Sequence, residues 1–507
     1  MSGFADDSGL ARLSQEMRNT NTGGQNTPVI VIGGGPTGLA AAHELTRLGT
    51  ETVVLEKHHT VGGLARTEQF RGNYFDMGGH RFFTQIPEIG QIWHEILGDD
   101  LLLRPRLSRI SYRKRFFHYP LKPLDTLRGL GLFESIQIVA SYLRWQLFPY
   151  HDEISFEQWI TNRFGKRLFN TFFKSYTEKV WGIPCHKLKA EWAAQRIKDL
   201  SLKSAILDMF LGSAGKIRTL INEFHYPRRG PGMMWQAVRD AIERQGSKVY
   251  LNTDVTRIHR HGNGKWSVLT SSGGRNTQHD GSAIISSMPI TEFLKKLDPA
   301  PPDEVLNAAS RLRYRDFLTV CLIVNKADLF PDNWVYIHDI DVSVARIQNF
   351  KNWSPDMISD PSKSTLGLEY FCNEGDDLWN LPDKELVNLA SRELDQIGLS
   401  RCADIEDGCV FRIPKAYPVY DSDYREHLDV VREFVAGLDN FQTAGRNGLH
   451  RYNNQDQAML SGILASHNLL FGARHNLWEI SEYQDYLEHM RVGKGSIFAD
   501  TANLQRS

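Results

Sequence analysis

Cysteine is scarce in this 507-residue sequence and forms no framework: Cys185, Cys321, Cys372, Cys402 and Cys409 make neither a CxxC pair nor a regular spacing. That argues against structural zinc, a disulfide scaffold or a redox-active disulfide, and it suits a reducing compartment; no metal site is expected. Neither sign of charge prevails. Lys and Arg number 59 against 60 Asp and Glu, so no overall field draws the chain to nucleic acid or to an anionic membrane, and a charged partner must be recognised locally. A long uninterrupted apolar run is also missing. The most membrane-like stretch, Leu130 to Phe148, is broken by Glu134, Gln137 and Arg144, and a spanning helix needs about 20 predominantly apolar residues. It reads as an amphipathic helix packed on its own domain, with membrane contact as the other reading. The first 26 residues are polar, include Asp6 and Asp7, and lack the apolar core of a secretory signal, so they read as a disordered tail of a cytoplasmic protein.

What is present begins with enough apolar residues, 41%, for the chain to fold without cross-links, and with a length that predicts two or three domains. The clearest signal follows Pro28. Val29 to Ile32 is a continuous apolar run, as a parallel strand buried on both faces requires. Leu39 to Leu48 then reads as a helix and Thr52 to Leu55 as the next strand. Gly33, Gly35 and Gly38 stand in GxGxxG spacing at the strand-to-helix turn, where bare backbone lets a pyrophosphate approach the helix amino terminus. Glu56 closes the second strand, placed to accept hydrogen bonds from an adenosine ribose and to disfavour a 2′-phosphate.

Directly after the second strand comes Val61-Gly62-Gly63-Leu64-Ala65-Arg66-Thr67. It resembles the glycine doublet of flavoproteins of the amine oxidase, protoporphyrinogen oxidase and UDP-galactopyranose mutase group, and the resemblance implies that the dinucleotide is FAD, with Gly62, Gly63 and Arg66 adding contacts to it. Two other glycine clusters, Gly230-Pro231-Gly232 and Gly273-Gly274, have the wrong spacing for a second fingerprint, so no separate NAD(P)H domain is expected.

Along the rest of the chain, Phe156 to about Phe224 has helical periodicity, a helix runs from Met233 to about Gln245, and Lys248 to Leu251, Val255 to Ile258 and Ala283 to Ser287 read as strands; the resemblance implies that these three return to the nucleotide fold, with Val255 near the adenine. Residues 290–415 alternate apolar and polar in short runs, as in Leu318 to Asn325 and Thr365 to Phe371, which predicts an antiparallel sheet as the substrate floor. Near Asn454 to Met459 a second helix start offers amides to an anionic part of the cofactor, with an ordinary cap from Asn454 and Asp456 as the other reading. The architecture expected is α/β, or multidomain α+β: a discontinuous FAD-binding Rossmann-like domain (27–85, 225–290 and 430–500), a helical domain (125–224) and an antiparallel-sheet substrate domain (86–124 and 291–429).

Three further segments are more specific. Gly78-Gly79-His80-Arg81-Phe82-Phe83-Thr84, Tyr176-Thr177-Glu178-Lys179-Val180-Trp181-Gly182, and Gly445-Arg446 followed by Arg451-Tyr452 resemble, in order, the flavin-facing histidine segment, the YTEKxWG motif and the carboxyl-terminal segment of UDP-galactopyranose mutases. The resemblance implies that His80 lies against the isoalloxazine, that Tyr176 and Trp181 line the substrate side, that Tyr417, Arg346 and Arg196 reach the substrate diphosphate, and that Gly445, Arg446, Tyr452 and Asp456 serve the flavin and diphosphate region. Two guanidinium forks suit a diphosphate leaving group. Out of context the same residues have plainer readings: a core histidine, helix-core aromatics, solvated arginines. The sequence departs from the mutase pattern at Asn454, where an acidic residue is usual, and at His450, where a tyrosine is; both bear on the choice of sugar nucleotide.

These residues imply a flavin-dependent isomerase or mutase acting on a nucleotide-linked or phosphorylated sugar, in which reduced flavin supplies the bond-making atom and no net redox occurs. The competing readings are an oxidase or desaturase of the protoporphyrinogen or amine oxidase type, and a non-catalytic FAD-stabilised binding partner. The expected ligand is a small molecule, and a homodimer is left open.

Overall fold

The structure, a computed structural model, describes residues 27–119, 121, 126, 129–191 and 222–482. Strand β1 (Val29–Ile32), helix α1 (Pro36–Arg47) and strand β2 (Thr52–Leu55) form the first βαβ half, and all eight strand residues are buried, which is why both strands are purely aliphatic or β-branched. Three later segments join them in one parallel five-stranded sheet, in the order Phe441–Thr443, Ala283–Ser286, β1, β2, Lys248–Tyr250. The chain therefore returns to its first domain from both its middle and its end. Asp254–Arg260, expected to return with them, pairs instead with the hairpin Trp266–Ser272/Arg275–Gly281 and with Leu297–Asp298 in a separate four-stranded sheet. The hairpin turn is Gly273-Gly274, with φ of +55° and +81°; paired glycines are a strong two-residue turn signal, which a search for phosphate-loop spacing passes over.

A third, seven-stranded sheet runs in the order Ile405–Pro418, Tyr314–Val324, Ser364–Cys372, Arg346–Asn349, Trp334–Ile337, Ser108–Tyr112, Arg115–His118. It is antiparallel throughout except where Trp334–Ile337 meets Ser108–Tyr112. Helix Asp383–Ile397 covers one face through Leu386, Ala390, Leu394 and Ile397, so the central strands carry apolar residues on both faces.

The helical segment holds Leu132–Leu147, Phe156–Phe164 and Lys174–Trp181. Its predicted extension to Phe224 is corrected at the end: Glu223–Pro227 is a strand, paired antiparallel with Leu101–Pro105. Arg196 lies outside the described residues. Leu132–Leu147 packs on its own segment, against Phe156–Phe164 and Lys166–Leu168, as expected, but it buries only Ser135 and Ile138 and leaves most of its apolar residues exposed. Among the described residues no helix is long and apolar enough to cross a membrane, and no cluster of His, Cys, Asp and Glu is arranged to hold a metal ion.

The two ends of the nucleotide domain are locked by a buried hydrogen bond. His467, on the final long helix Gln455–Phe471, contacts Glu44 of α1 at 2.8 Å, and Arg47 adds a second contact at 2.9 Å. Burial alone would raise the Glu44 pKa; the bonds from His467 and Arg47 outweigh it and hold the carboxyl at about 2. A carboxyl with a depressed folded-state pKa contributes stability that is complete above its ordinary value and is lost as pH falls toward 2. Urea unfolding between pH 2 and 7 should therefore show Glu44→Gln losing about 3 kcal/mol at neutral pH, with the gap to wild type closing as the pH drops below ~4.

Candidate active site

A cavity of about 420 Å³ opens beyond the carboxyl ends of β1 and β2, where ligands gather in open α/β sheets. Gly33, Gly35, Glu56, Gly63, Arg66 and Val255 line it, as do His80 and Arg446 from distant segments. The remaining glycines of the expected set shape the backbone around it. A Cβ on Gly38 would collide with the carbonyl oxygen of Gly33, which itself has φ of +100°. Gly62, at φ +108°, donates its amide to Gly34 at 2.8 Å and so brings Gly63 against Gly35, with 3.0 Å left between a Cβ on Gly63 and the Gly35 Cα. Gly445 packs against Thr37 at the start of α1.

Glu56 is buried and accepts hydrogen bonds from the amides of Gly34 (2.6 Å) and His58 (2.8 Å). Burial raises its pKa, and those bonds pull in the opposite direction. Its carboxylate therefore braces the glycine turn as well as facing the cavity. His58 beside it is pushed down to about 4 by burial and by the charges of Arg66 and Lys57, so it is neutral at ordinary pH. Asn453, Asn454, Gln455 and Ala458 line the cavity at the start of the last long helix, but Asp456 does not: its carboxyl is buried beside Thr84, pushed up to about 6 by burial. Nor does Asp456 complete the cap, since the Asn454 amide donates to Gln457 Oε1 at 3.0 Å.

Across the cavity, Arg446 ties two segments together by donating to the carbonyls of Ala416 (3.0 Å) and Asn453 (2.7 Å), and its guanidinium lies over Tyr417 (5.3 Å) and Tyr452 (4.5 Å). Those two rings are parallel at 5.9 Å. Tyr176 stacks on His338 at 4.7 Å and meets Tyr336 edge-on at 5.6 Å. Trp181 is 2% exposed and packs behind Tyr417 and Tyr420 at 6.2 and 6.5 Å, so it supports the wall from beneath. Two other letters of its motif are scaffolding: Lys179 donates to the carbonyls of Ile337, Asp339 and Val344, and Glu178 accepts from the Cys185 amide.

His80 is pushed down to about 3 by burial and by Arg446, Arg346 and Arg66. It is an uncharged imidazole among cations. Arg346 is not a free clamp, because Glu369, fully buried on the neighbouring strand and directly opposite in register, accepts its Nη2 at 2.6 Å, while Gln348 donates to the other Glu369 oxygen at 2.5 Å. The uncompensated charge lies elsewhere. Arg81, next to His80, has a buried Nη1 with no hydrogen-bond partner; its guanidinium lies 5.9 Å from the Trp334 ring, and its electrostatic neighbours are Arg106 and the phenols Tyr336, Tyr119 and Tyr452. Arg106 lies over Tyr119 and Trp334, at 5.5 Å from each. Sequence reasoning passed over Arg81, Arg106, Tyr336 and Glu369. Arg81 sits inside one of those motifs and was legible; the others have no local signature, since strand register brings Glu369 to Arg346 and the fold of the chain brings Arg106 and Tyr336 to Arg81.

A profile of the family described as flavin containing amine oxidoreductase matches residues 36–470. A putative flavin-containing monoamine oxidase of Mycobacterium tuberculosis is 27% identical over 295 residues, 54% of this chain and 60% of that protein, so the match spans well under two thirds of that relative's length. Of solved structures, that of a reduced UDP-galactopyranose mutase superposes with a TM-score of 0.79 at 21% identity, covering 92% of this chain and 98% of the other. A protoporphyrinogen oxidase described as putative, from Exiguobacterium sp. 255-15, gives 0.69 at 17% identity, covering 89% and 100%; both establish a shared fold. The cofactor is FAD, and the cavity fits it: Gly35 faces the space with nothing nearer to its would-be Cβ than Gly63 at 3.6 Å. Gly35→Val should fold yet fill the pyrophosphate approach, so the purified variant should lack the flavin absorbance near 450 nm and gain no thermal stability from added FAD; retention of full flavin content would refute the assignment. With the profile running from the first helix to the last, and a cavity built for this dinucleotide, the chain belongs to the flavin-containing amine oxidoreductase family.

Proposed function

We propose that this flavoprotein is an isomerase of mutase type, acting on a nucleotide-linked or otherwise phosphorylated sugar. The observation that carries the reading is Arg81, whose buried Nη1 has no hydrogen-bond partner among the described residues, beside Arg106 and next to the histidine that lines the FAD cavity. Burying a cation without a counter-charge costs several kcal/mol, and an anionic ligand removes that cost. An ammonium substrate would meet Arg81, Arg106, Arg346 and Arg446 with the wrong sign. A phosphate or diphosphate meets forks of donors that do not change protonation.

Bound FAD supplies a ring nitrogen that is nucleophilic in the reduced cofactor and a hydride-accepting ring in the oxidised one. The chain's own contribution is positional. Arg81 and Arg106 take the phosphates, Arg346 is aimed by Glu369 and Gln348, and the Tyr417 and Tyr452 phenols offer hydrogen bonds, with the Tyr417 pKa held above its ordinary value by burial. His80, uncharged, flanks the sugar without competing for the phosphate.

The oxidase reading is favoured by family membership and by the monoamine oxidase relative. Turnover separates the two. With dithionite-reduced protein, a nucleotide sugar should be isomerised without stoichiometric use of oxygen or reductant, and oxidised protein should be inactive; steady oxygen uptake with an amine or a porphyrinogen would defeat the mutase reading. Arg81→Met should weaken binding of uridine diphosphate, measured by calorimetry, by about 2–5 kcal/mol with flavin content unchanged. Equal affinity in the variant would remove the anionic-substrate argument.

A further inference from the structure

Helix Leu132–Leu147 turns its apolar side outward. Leu132 (79% exposed), Phe133 (75%), Ile136 (59%), Val139 (45%), Leu143 (56%) and Leu147 (74%) are all open to solvent, and Phe148 (72%) continues the row. Leu132, Ile136, Val139, Leu143 and Leu147 recur every three or four positions, so on an α-helix they form one stripe, about 24 Å long for the 16 residues of the helix. Scattered surface leucines need no explanation, but a continuous apolar row does.

Cations rim this stripe. The hairpin turn Arg113-Lys114-Arg115 is exposed and lies at the beginning of the helix, where Arg115 donates to the Gly129 carbonyl at 2.5 Å. Glu134 is the helix's sole carboxylate, and both Nε and Nη2 of Arg167 hold it at 2.6 Å. Arg144 is exposed in the last turn. Of the acids that follow, Glu153 is paired with Arg163 and Glu157 with Lys166, leaving Asp152 exposed in the intervening loop. Trp145 stacks on Tyr150 at 4.6 Å beside the end of the stripe, and such aromatics suit a boundary between apolar and polar media.

We propose that this helix lies in the surface of an anionic lipid membrane, with its apolar row at the acyl boundary and Arg113, Lys114, Arg115 and Arg144 among the head groups. A second copy of the chain is the weaker occupant. A two-fold pairing of the stripe sets the Arg113–Arg115 end of one copy against a basic end of the other, and like charges facing each other oppose association.

Co-sedimentation of the FAD-loaded full chain with vesicles tests this. Vesicles containing phosphatidylglycerol should retain the protein and pure phosphatidylcholine vesicles should retain it weakly, with retention on the anionic vesicles falling as salt is raised. Phe133→Ser with Leu147→Ser, and separately Arg113→Gln with Lys114→Gln and Arg115→Gln, should each lower binding at least tenfold while flavin absorbance and melting temperature stay unchanged. Absence of sedimentation with either vesicle, or equal binding by wild type and both variants, would overturn the proposal. So would light scattering that shows a dimer abolished by the Phe133 and Leu147 substitutions.

Discussion

Two stretches of bare backbone in contact make the rest of this molecule possible. The turn after β1 can curl only because Gly33 adopts a positive φ and Gly38 has no Cβ to strike its carbonyl, and the doublet Gly62-Gly63 can then lie directly on Gly35. No side chain separates them, so amides from two loops surround one cavity. Glu56 fixes the arrangement from below through Gly34 and His58. The closing elements come from far along the chain, because the sheet is finished by Ala283–Ser286 and Phe441–Thr443, and the last long helix is tied to the first by Glu44 and His467. A local turn thus acquires its rigidity from contacts several hundred residues apart.

Charge is distributed around that cavity by an evident rule. Arg446 is satisfied by carbonyls and by two phenol rings, and Arg346 by a carboxylate directly across the strand pair. Both are therefore held in fixed positions, since a buried ion pair contributes orientation more dependably than net stability. Arg81 has a buried Nη1 with no hydrogen-bond partner among the described residues, while burial and the charges of Arg446, Arg346 and Arg66 keep His80 unprotonated. The cavity lining itself combines Arg446, held by carbonyls, with Arg66 and the neutral imidazole of His80.

The nucleotide half of this picture was legible in sequence because every requirement in it is local. Strand, glycine turn, helix, strand and acid fall within thirty or so residues, and β1 and β2 carry the predicted bounds. The central antiparallel strands were legible from their apolar runs. The paired acids and arginines of the far wall were not, because Glu369 meets Arg346 only through strand register, and Arg106 meets Arg81 only through folding of the chain between them. Motif likeness also concealed a division of labour: within Tyr176–Gly182, Trp181 and Lys179 hold the wall up, while Tyr176 alone keeps Arg346 and Tyr336 as its electrostatic neighbours. The strand at Glu223–Pro227 was misread where the template of a helical insertion displaced the local signal, and the turn at Gly273-Gly274, rightly refused as a phosphate loop, went unrecognised as a hairpin.

The near-zero net charge is silent on local fields. A sum over 507 residues describes the field far from the protein, and in physiological salt charges are screened beyond about 8 Å. A ligand or a surface in contact feels only the nearest groups. Here those are cations beside His80 and cations around an exposed apolar helix, balanced by acids placed elsewhere. Segregation rather than total charge decides what such a chain attracts, and burial amplifies it, because the same guanidinium that costs little at the surface demands a counter-charge once water is removed.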